Sequence, residues 1–205
     1  KITETRKAAN TILKSGAETG KSYNIVFEVD SSKVTKFNFK GFEGETMTSE
    51  ITGKNRLEYN RNRPFEREIS YYDNFKATAS VTVPKSYIIP QGWHNVIDRL
   101  RENDIKLERI EKDTTMAVSV YHIADFKTRT SPYEGHYQHY NTNVEETVED
   151  ITFRKGDLIV NTAQLGLRYL IETLEPAAAD SFFNWNYFDT ILQQKDGFSP
   201  YVWED

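Results

Sequence analysis

The residues with the best claim to chemistry stand in "SPYEGHYQHY", residues 131–140, where Glu134, His136 and His139 bring an acid together with two of the chain's four histidines. Imidazole and carboxylate are the ordinary ligands of zinc, so the segment raises the question of a metal centre. Spacing argues against one. His136 and His139 would share a face only in a helix, and Pro132, Gly135 and the tyrosines around them disfavour helix. In an extended strand their odd spacing sends them to opposite faces. The segment is therefore expected to be a Tyr- and His-rich loop or strand that packs and hydrogen-bonds, with no metal site. Its candidate binding residues are Arg129, Tyr133, Glu134, His136 and Tyr137, a mixture of rings and charges suited to polar recognition.

Other constellations carry less. "HIAD", His122 to Asp125, superficially resembles the His-x-x-Glu pair of a zinc peptidase with Asp in place of Glu. It continues a strand-like run, so a surface histidine with an unrelated aspartate is expected. His94 begins a helical stretch without a histidine partner at i+4 and is read as partnered by water or a neighbouring acid. The chain has no cysteine, no Gly-x-Ser-x-Gly elbow and no phosphate-binding glycine loop. With 31 acidic residues many carboxylate pairs are available, but no spacing selects one. No catalytic residue is assigned.

Composition sets the outer limits. A length of 205 residues with 38% hydrophobic and 13% aromatic content suits one substantial domain or two small ones whose cores lean on large rings. A net charge of -5 with scattered basic residues argues against a nucleic-acid partner. No apolar run approaches the roughly 20 residues of a membrane span. The chain starts at Lys1 without a signal-like apolar region and reads as part of something longer.

The elements that must position these residues follow from periodicity. "ITETRKAANTILKSG" reads as a short amphipathic helix stopped at Gly16, and residues 1–15 are expected to be the trailing helix of a preceding, absent domain. Residues 16–83 read as β-rich. "YNIVFEVD" puts Ile25, Phe27 and Val29 on one side of a strand, "KVTKFNFK" repeats the alternation, and "REISYY" and "KATASVTV" read as edge or surface strands. From residue 84 to 205 the pattern becomes α/β. "KSYIIP", a helix with Trp93, Val96, Ile97 and Leu100 on one face, and "IKLERIE" suit a βαβ unit with parallel outer strands. "TTMAVSVYHI", "VEETVEDITF" and "LIVNT" add strands. Thr162 is placed to cap a helix from about Ala163 to Leu174 with Leu165, Leu167, Leu170 and Ile171 inward, ended by Pro176. A last helix, "FFNWNYFDTILQQ", would align Phe182, Trp185, Phe188, Ile191 and Leu192, which makes core the reading for Trp185. The aromatic end "SPYVWED" could serve as a sugar-stacking platform. The expected class is α+β: a β-rich, sandwich-like amino half, then a βαβ-containing mixed sheet with two further C-terminal helices, the two halves being either two subdomains or one domain.

From Pro84 onward several stretches resemble, in order, the region that follows the catalytic domain in large bacterial carboxypeptidase-A-like zinc peptidases. The residues carrying this are Pro84, Tyr87 and Pro90; Arg129 with Tyr133 to His136; Gly156 and Asp157; Leu174 to Pro176; Asp180, Ser181, Trp185 and Phe188; and the closing "YVWED". The resemblance implies a non-catalytic accessory domain whose partner is its own N-terminal peptidase domain and, through it, a peptide substrate. It also implies an extracellular or periplasmic location. Such peptidases hold zinc with a His-x-x-Glu pair and a later histidine. None of His94, His122, His136 and His139 is followed by Glu three residues on, so the resemblance places zinc in the absent domain and no cofactor on this chain. Two alternatives stand beside it: a peptide- or glycan-binding module, and an independent hydrolase.

Overall fold

A computed structural model of the protein describes residues 1–193, so the aromatic end "SPYVWED" lies outside the described residues. In chain order the elements are α1 (Ile2–Lys14), β1 (Ser22–Val29), β2 (Thr35–Thr48), β3 (Asn55–Tyr71), β4 (Phe75–Thr82), β5 (Ser86–Ile89), α2 (His94–Glu102), β6 (Glu108–Arg109), β7 (Thr114–Thr128), β8 (His139–Phe153), β9 (Leu158–Asn161) and α3 (Leu167–Leu174). A 3₁₀ turn, Asp189–Leu192, follows. The fold is α+β with a β-rich first half. The chain divides into two compact units, residues 1–26 with 79–205, and residues 27–78. No helix among the described residues is long and apolar enough to cross a membrane.

The unit formed by residues 27–78 is dominated by an antiparallel ribbon, β2 against β3. Alternation gives the ribbon two chemistries. Phe37 meets Tyr71 and Phe39 meets Phe65, at centroid distances of 5.9 and 6.0 Å. The opposite face carries the ion pairs Lys36–Glu68 and Lys40–Glu66. Gly41 leaves room for the rings, since a Cβ there would stand 2.9 Å from the Phe65 ring. Pro64 lies within β3 opposite Phe42, next to a shift in register, and a two-stranded ribbon tolerates it because each strand has an outer edge without ladder bonds. The expected sandwich-like half is instead built of two-stranded pairs, β2 with β3 and β1 with β4.

The other unit holds the main core. Val96, Ile97 and Leu100 are buried on one face of α2 and pack with Ile89, Leu158 and Val160 of a three-stranded sheet ordered β5-β9-β6. Both outer strands run antiparallel to β9, so β5 and β6 are parallel to each other, as the strand–helix–strand succession implies. They are not neighbours, because β9 is inserted between them. The expected mixed sheet is thus corrected: every paired neighbour is antiparallel, and the βαβ unit is split. A second cluster gathers Ile25, Val83, Leu167, Ile171 and Ala178, with Leu13 of α1 against it.

Asp157 locks the split sheet. Its buried carboxylate accepts the backbone N–H of Gln91 (2.9 Å) and of Arg154 (2.7 Å), which ties the end of β5 to the start of β9. Charge-assisted bonds of this kind contribute about 1.5–3 kcal/mol each. Asp157→Ala is expected to lower stability by about 3 kcal/mol, the two bonds being mutually dependent. Thermal denaturation followed by circular dichroism measures it, and a loss below about 0.5 kcal/mol, the scale of an ordinary surface substitution, would contradict this role.

Two further expectations need correction. The helix read from Ala163 begins only at Leu167, because Thr162 donates its hydroxyl to the carbonyls of Pro84 (2.7 Å) and Lys85 (3.0 Å) instead of capping. Gln164 is spent on Lys106 and Asn161, and Leu165 is exposed. The end holds: Glu175, preceding Pro176, is extended at ψ 114. The expected last helix is a series of turns closing in the 3₁₀ turn. Ser181, Asn184 and Asn186 divert the ladder, since side chains of this kind compete for backbone groups. Ser181 Oγ donates to the Pro176 carbonyl at 3.0 Å, Asn184 Nδ2 to that of Ala178 at 2.8 Å, and Asn186 adopts a left-handed φ of 66°.

Candidate functional site

The segment that opened the question forms a tight reversal after β7. Tyr133 and His136 exchange backbone hydrogen bonds of 2.9 Å in each direction, with Glu134 (φ 49) and Gly135 (φ 83) between them. Two successive positive φ values are the signature of a type I′ turn, and Gly at the second site supplies one of them without strain. Tyr133 and Tyr137 remain exposed, at 58% and 52%.

The turn is held by rings from the segment that fails to become a helix. His136 lies edge-on to Trp185 at 5.5 Å and parallel to Tyr187, 9° between planes and 6.4 Å between centroids. Tyr133 meets Trp185 at 6.3 Å. Below them Asn186 Nδ2 donates to the Tyr137 carbonyl at 3.0 Å and sits 3.2 Å from His139 Nε2. Trp185 is half-buried and lines a groove, where the sequence reading had placed it in the core. The reason is the left-handed Asn186, which breaks the helical stripe after Phe183. Phe182 and Phe183 go inward, Phe188 packs edge-on against Trp93 at 4.8 Å, and Trp185 turns to the surface.

His136 and His139 have different surroundings. His139 starts β8 and is buried; its ring contacts Thr128 Oγ1 (2.9 Å) and Asp189 Oδ1 (3.1 Å) and lies 4.6 Å from the Phe126 ring. Among the described residues no three His, Asp or Glu side chains are grouped to hold a metal ion. His122 is a surface residue, as expected of it. Its Nε2 contacts Glu149 (2.7 Å) and Thr147 (3.1 Å) across the strand pair, and Asp125 takes no part. His94 Nδ1 lies 3.2 Å from the Gly92 carbonyl, not against an acid.

Of the five candidate binding residues, Glu134 and His136 line hollows beside Trp185, Arg129 lines a different one, and Tyr133 and Tyr137 line neither place. His136, Trp185 and Tyr187 line both of two hollows of about 450 and 300 Å³, and Glu134 lines the smaller. Tyr133 packs against Trp185. Arg129 points elsewhere, its guanidinium 5.4 Å over the Tyr140 ring, beside a cleft of about 550 Å³ shared with Gln138, His139 and Asn184. Sequence reasoning missed Asn95, Arg99, Asp189 and Thr190 on the far wall of the groove. A signal existed in Asn95 and Arg99, four apart and therefore together on the polar face of α2.

A second polar cluster lies at the end of α3. Glu175 is only 2% exposed, and its carboxyl accepts the Tyr87 hydroxyl at 2.5 Å. Burial holds this carboxyl above its ordinary range; hydrogen bonds from Tyr87 and Tyr121 oppose that in part, and the nearby Glu146 charge adds to it. Both phenols are pushed up as well, first by burial and then by the Glu175 charge. Glu146, Glu175 and Tyr121 border a cleft of about 380 Å³.

Comparison of the chain with protein families, with curated proteins and with solved structures finds no match.

Proposed function

We propose that this chain is a non-catalytic recognition module, the accessory C-terminal part of a zinc carboxypeptidase, which supports the peptidase domain and presents a binding groove beside it. The observation that carries recognition is the cluster of rings at the turn: Tyr133 and Tyr137 exposed on a hydrogen-bonded turn, with His136 packed against Trp185 and Tyr187. Rings held in place lose little entropy on binding, and the acids and amides around them supply direction. The accessory role rests on the resemblance. In its favour, the residues carrying it meet one another: Tyr87 bonds Glu175, Ser181 bonds the Pro176 carbonyl, and His136 contacts Trp185. On this reading zinc resides in the peptidase domain, and the location is extracellular or periplasmic.

The purified chain is expected neither to take up stoichiometric zinc from a metal-free state nor to release residues from peptide carboxyl termini. Titration with peptides or cell-wall fragments is expected to shift amide resonances along residues 133–137. Stoichiometric zinc that is lost when His136 and His139 are replaced would overturn the reading, as would unchanged spectra at millimolar ligand.

A further inference from the structure

The groove on the Trp185 side of the turn has a wall composition that selects among ligands. One wall is aromatic, with Trp185, Tyr187 and His136. The other is α2, presenting Asn95 and Arg99, and the ends carry Asp189 with Thr190 and Asp180 with Glu134. The two hollows, about 450 and 300 Å³, share these rings, and each falls within the size range of small-molecule sites.

Three features bear on the class of ligand. First, among the described residues no strand lines the groove: its residues come from α2, from the 134–135 turn and its flanks, and from turns between Asp180 and Thr190. An extended peptide is commonly gripped by main-chain pairing to a sheet edge, and that mode has no edge to use here. Second, the polar groups are mixed donors and acceptors, and three of them are held by partners. Arg99 pairs with Glu102 at 2.8 Å, Asp189 contacts His139 at 3.1 Å, and Trp185 Nε1 reaches toward Asp180 at 3.5 Å. Preset donors and acceptors beside a flat ring suit a ligand whose hydroxyls both donate and accept around an apolar face. Third, among the described residues Glu134, Asp180 and Asp189 outnumber Arg99, which disfavours an anionic ligand.

Resting on the recognition reading above, we infer that this groove is a glycan site, taking a short oligosaccharide of neutral or N-acetylated sugars that stacks on Trp185 and hydrogen-bonds to Asn95, Arg99 and Asp189. Uronate-containing glycans are disfavoured by the acidic ends.

The test is a titration of the ¹⁵N-labelled chain with chitotriose, cellotriose, trigalacturonate and a hexapeptide of mixed sequence. Chitotriose or cellotriose is expected to shift Asn95, Arg99, His136 and the Trp185 indole N–H saturably. Trigalacturonate should bind about tenfold more weakly or worse. Trp185→Ala is expected to weaken binding by at least about tenfold. Asn95→Ala, at an exposed position of α2, should weaken it several-fold with an unchanged melting temperature, and it keeps the test decisive if the Trp185 variant does not fold. Peptide shifts at these residues without trisaccharide shifts would overturn the glycan inference while leaving the recognition module standing. Silence with every ligand would overturn both, and trisaccharide shifts confined to the Arg129 cleft would overturn the placement.

Discussion

Phe183→Ala is expected to lower the stability of the unit formed by residues 1–26 and 79–205 by about 3–5 kcal/mol, the range for emptying a fully buried aromatic site. Phe183 is 2% exposed and stands 5.5 Å from the Phe126 ring and 5.1 Å from the His139 ring. The cavity would open under the start of β8 and one residue from Asn184, whose carbonyl accepts the His139 backbone N–H at 2.8 Å. Two readouts are therefore linked: a large fall in melting temperature, and loss of the ordered Trp185 side chain above it. Phe183→Leu refills most of the volume and should recover most of both. A loss under about 1 kcal/mol for the alanine variant would show that the site collapses readily and does not support the groove.

The next largest effect is expected at Glu175. Glu175→Ala leaves the Tyr87 hydroxyl without its acceptor and weakens the surroundings of Tyr121, a cost of about 2–4 kcal/mol when unpaired polar groups stay buried. Glu175→Gln keeps an acceptor for Tyr87 and removes only the ionisation. Because the folded carboxyl titrates above the ordinary glutamate value of 4.5, its contribution to stability is complete below that value and is lost as pH rises through the folded one. The Gln variant should therefore gain on the native protein as pH increases from 4 toward neutrality. Melting temperatures of both across pH 4–8 test it. A constant difference over that range would mean that the carboxyl titrates normally.

Legibility in the sequence depended on which signal decided each element. The face of α2 was visible because Val96, Ile97 and Leu100 are apolar at helical spacing and no side chain there competes for the backbone. Parallel β5 and β6 followed from element order, yet their separation by β9 did not, since a strand of four residues carries no mark of its register partners. The ribbon through residues 41–66 was hidden by Gly41, Gly44 and a dense alternation of charges, whose pairing appears only across strands. Of the candidate site, the turn at Glu134 and Gly135 was legible as a break in helix, and Tyr133, Tyr137 and His136 as its rings. Trp185 was not. Its spacing from Phe182 and Phe188 fits a helix, and only the side-chain bonds of Ser181 and Asn184 and the left-handed Asn186 show that the stripe is cut.

The insertion of β9 between β5 and β6 also sets the order in which the protein can be made. Neither outer strand has a partner within its sheet until residues 158–161 exist, and the second cluster waits for Leu167 and Ile171 while Ile25 is already synthesised. A ribosome must therefore have passed β9 and α3 before the apolar faces of α2, β1 and β5 can close. Until then they are the surfaces most exposed to chaperones and to misassembly. The ribbon of residues 27–78, with its own local pairing, can form early. Within these residues the hairpin is thus a local event, and the main core is a late, long-range one.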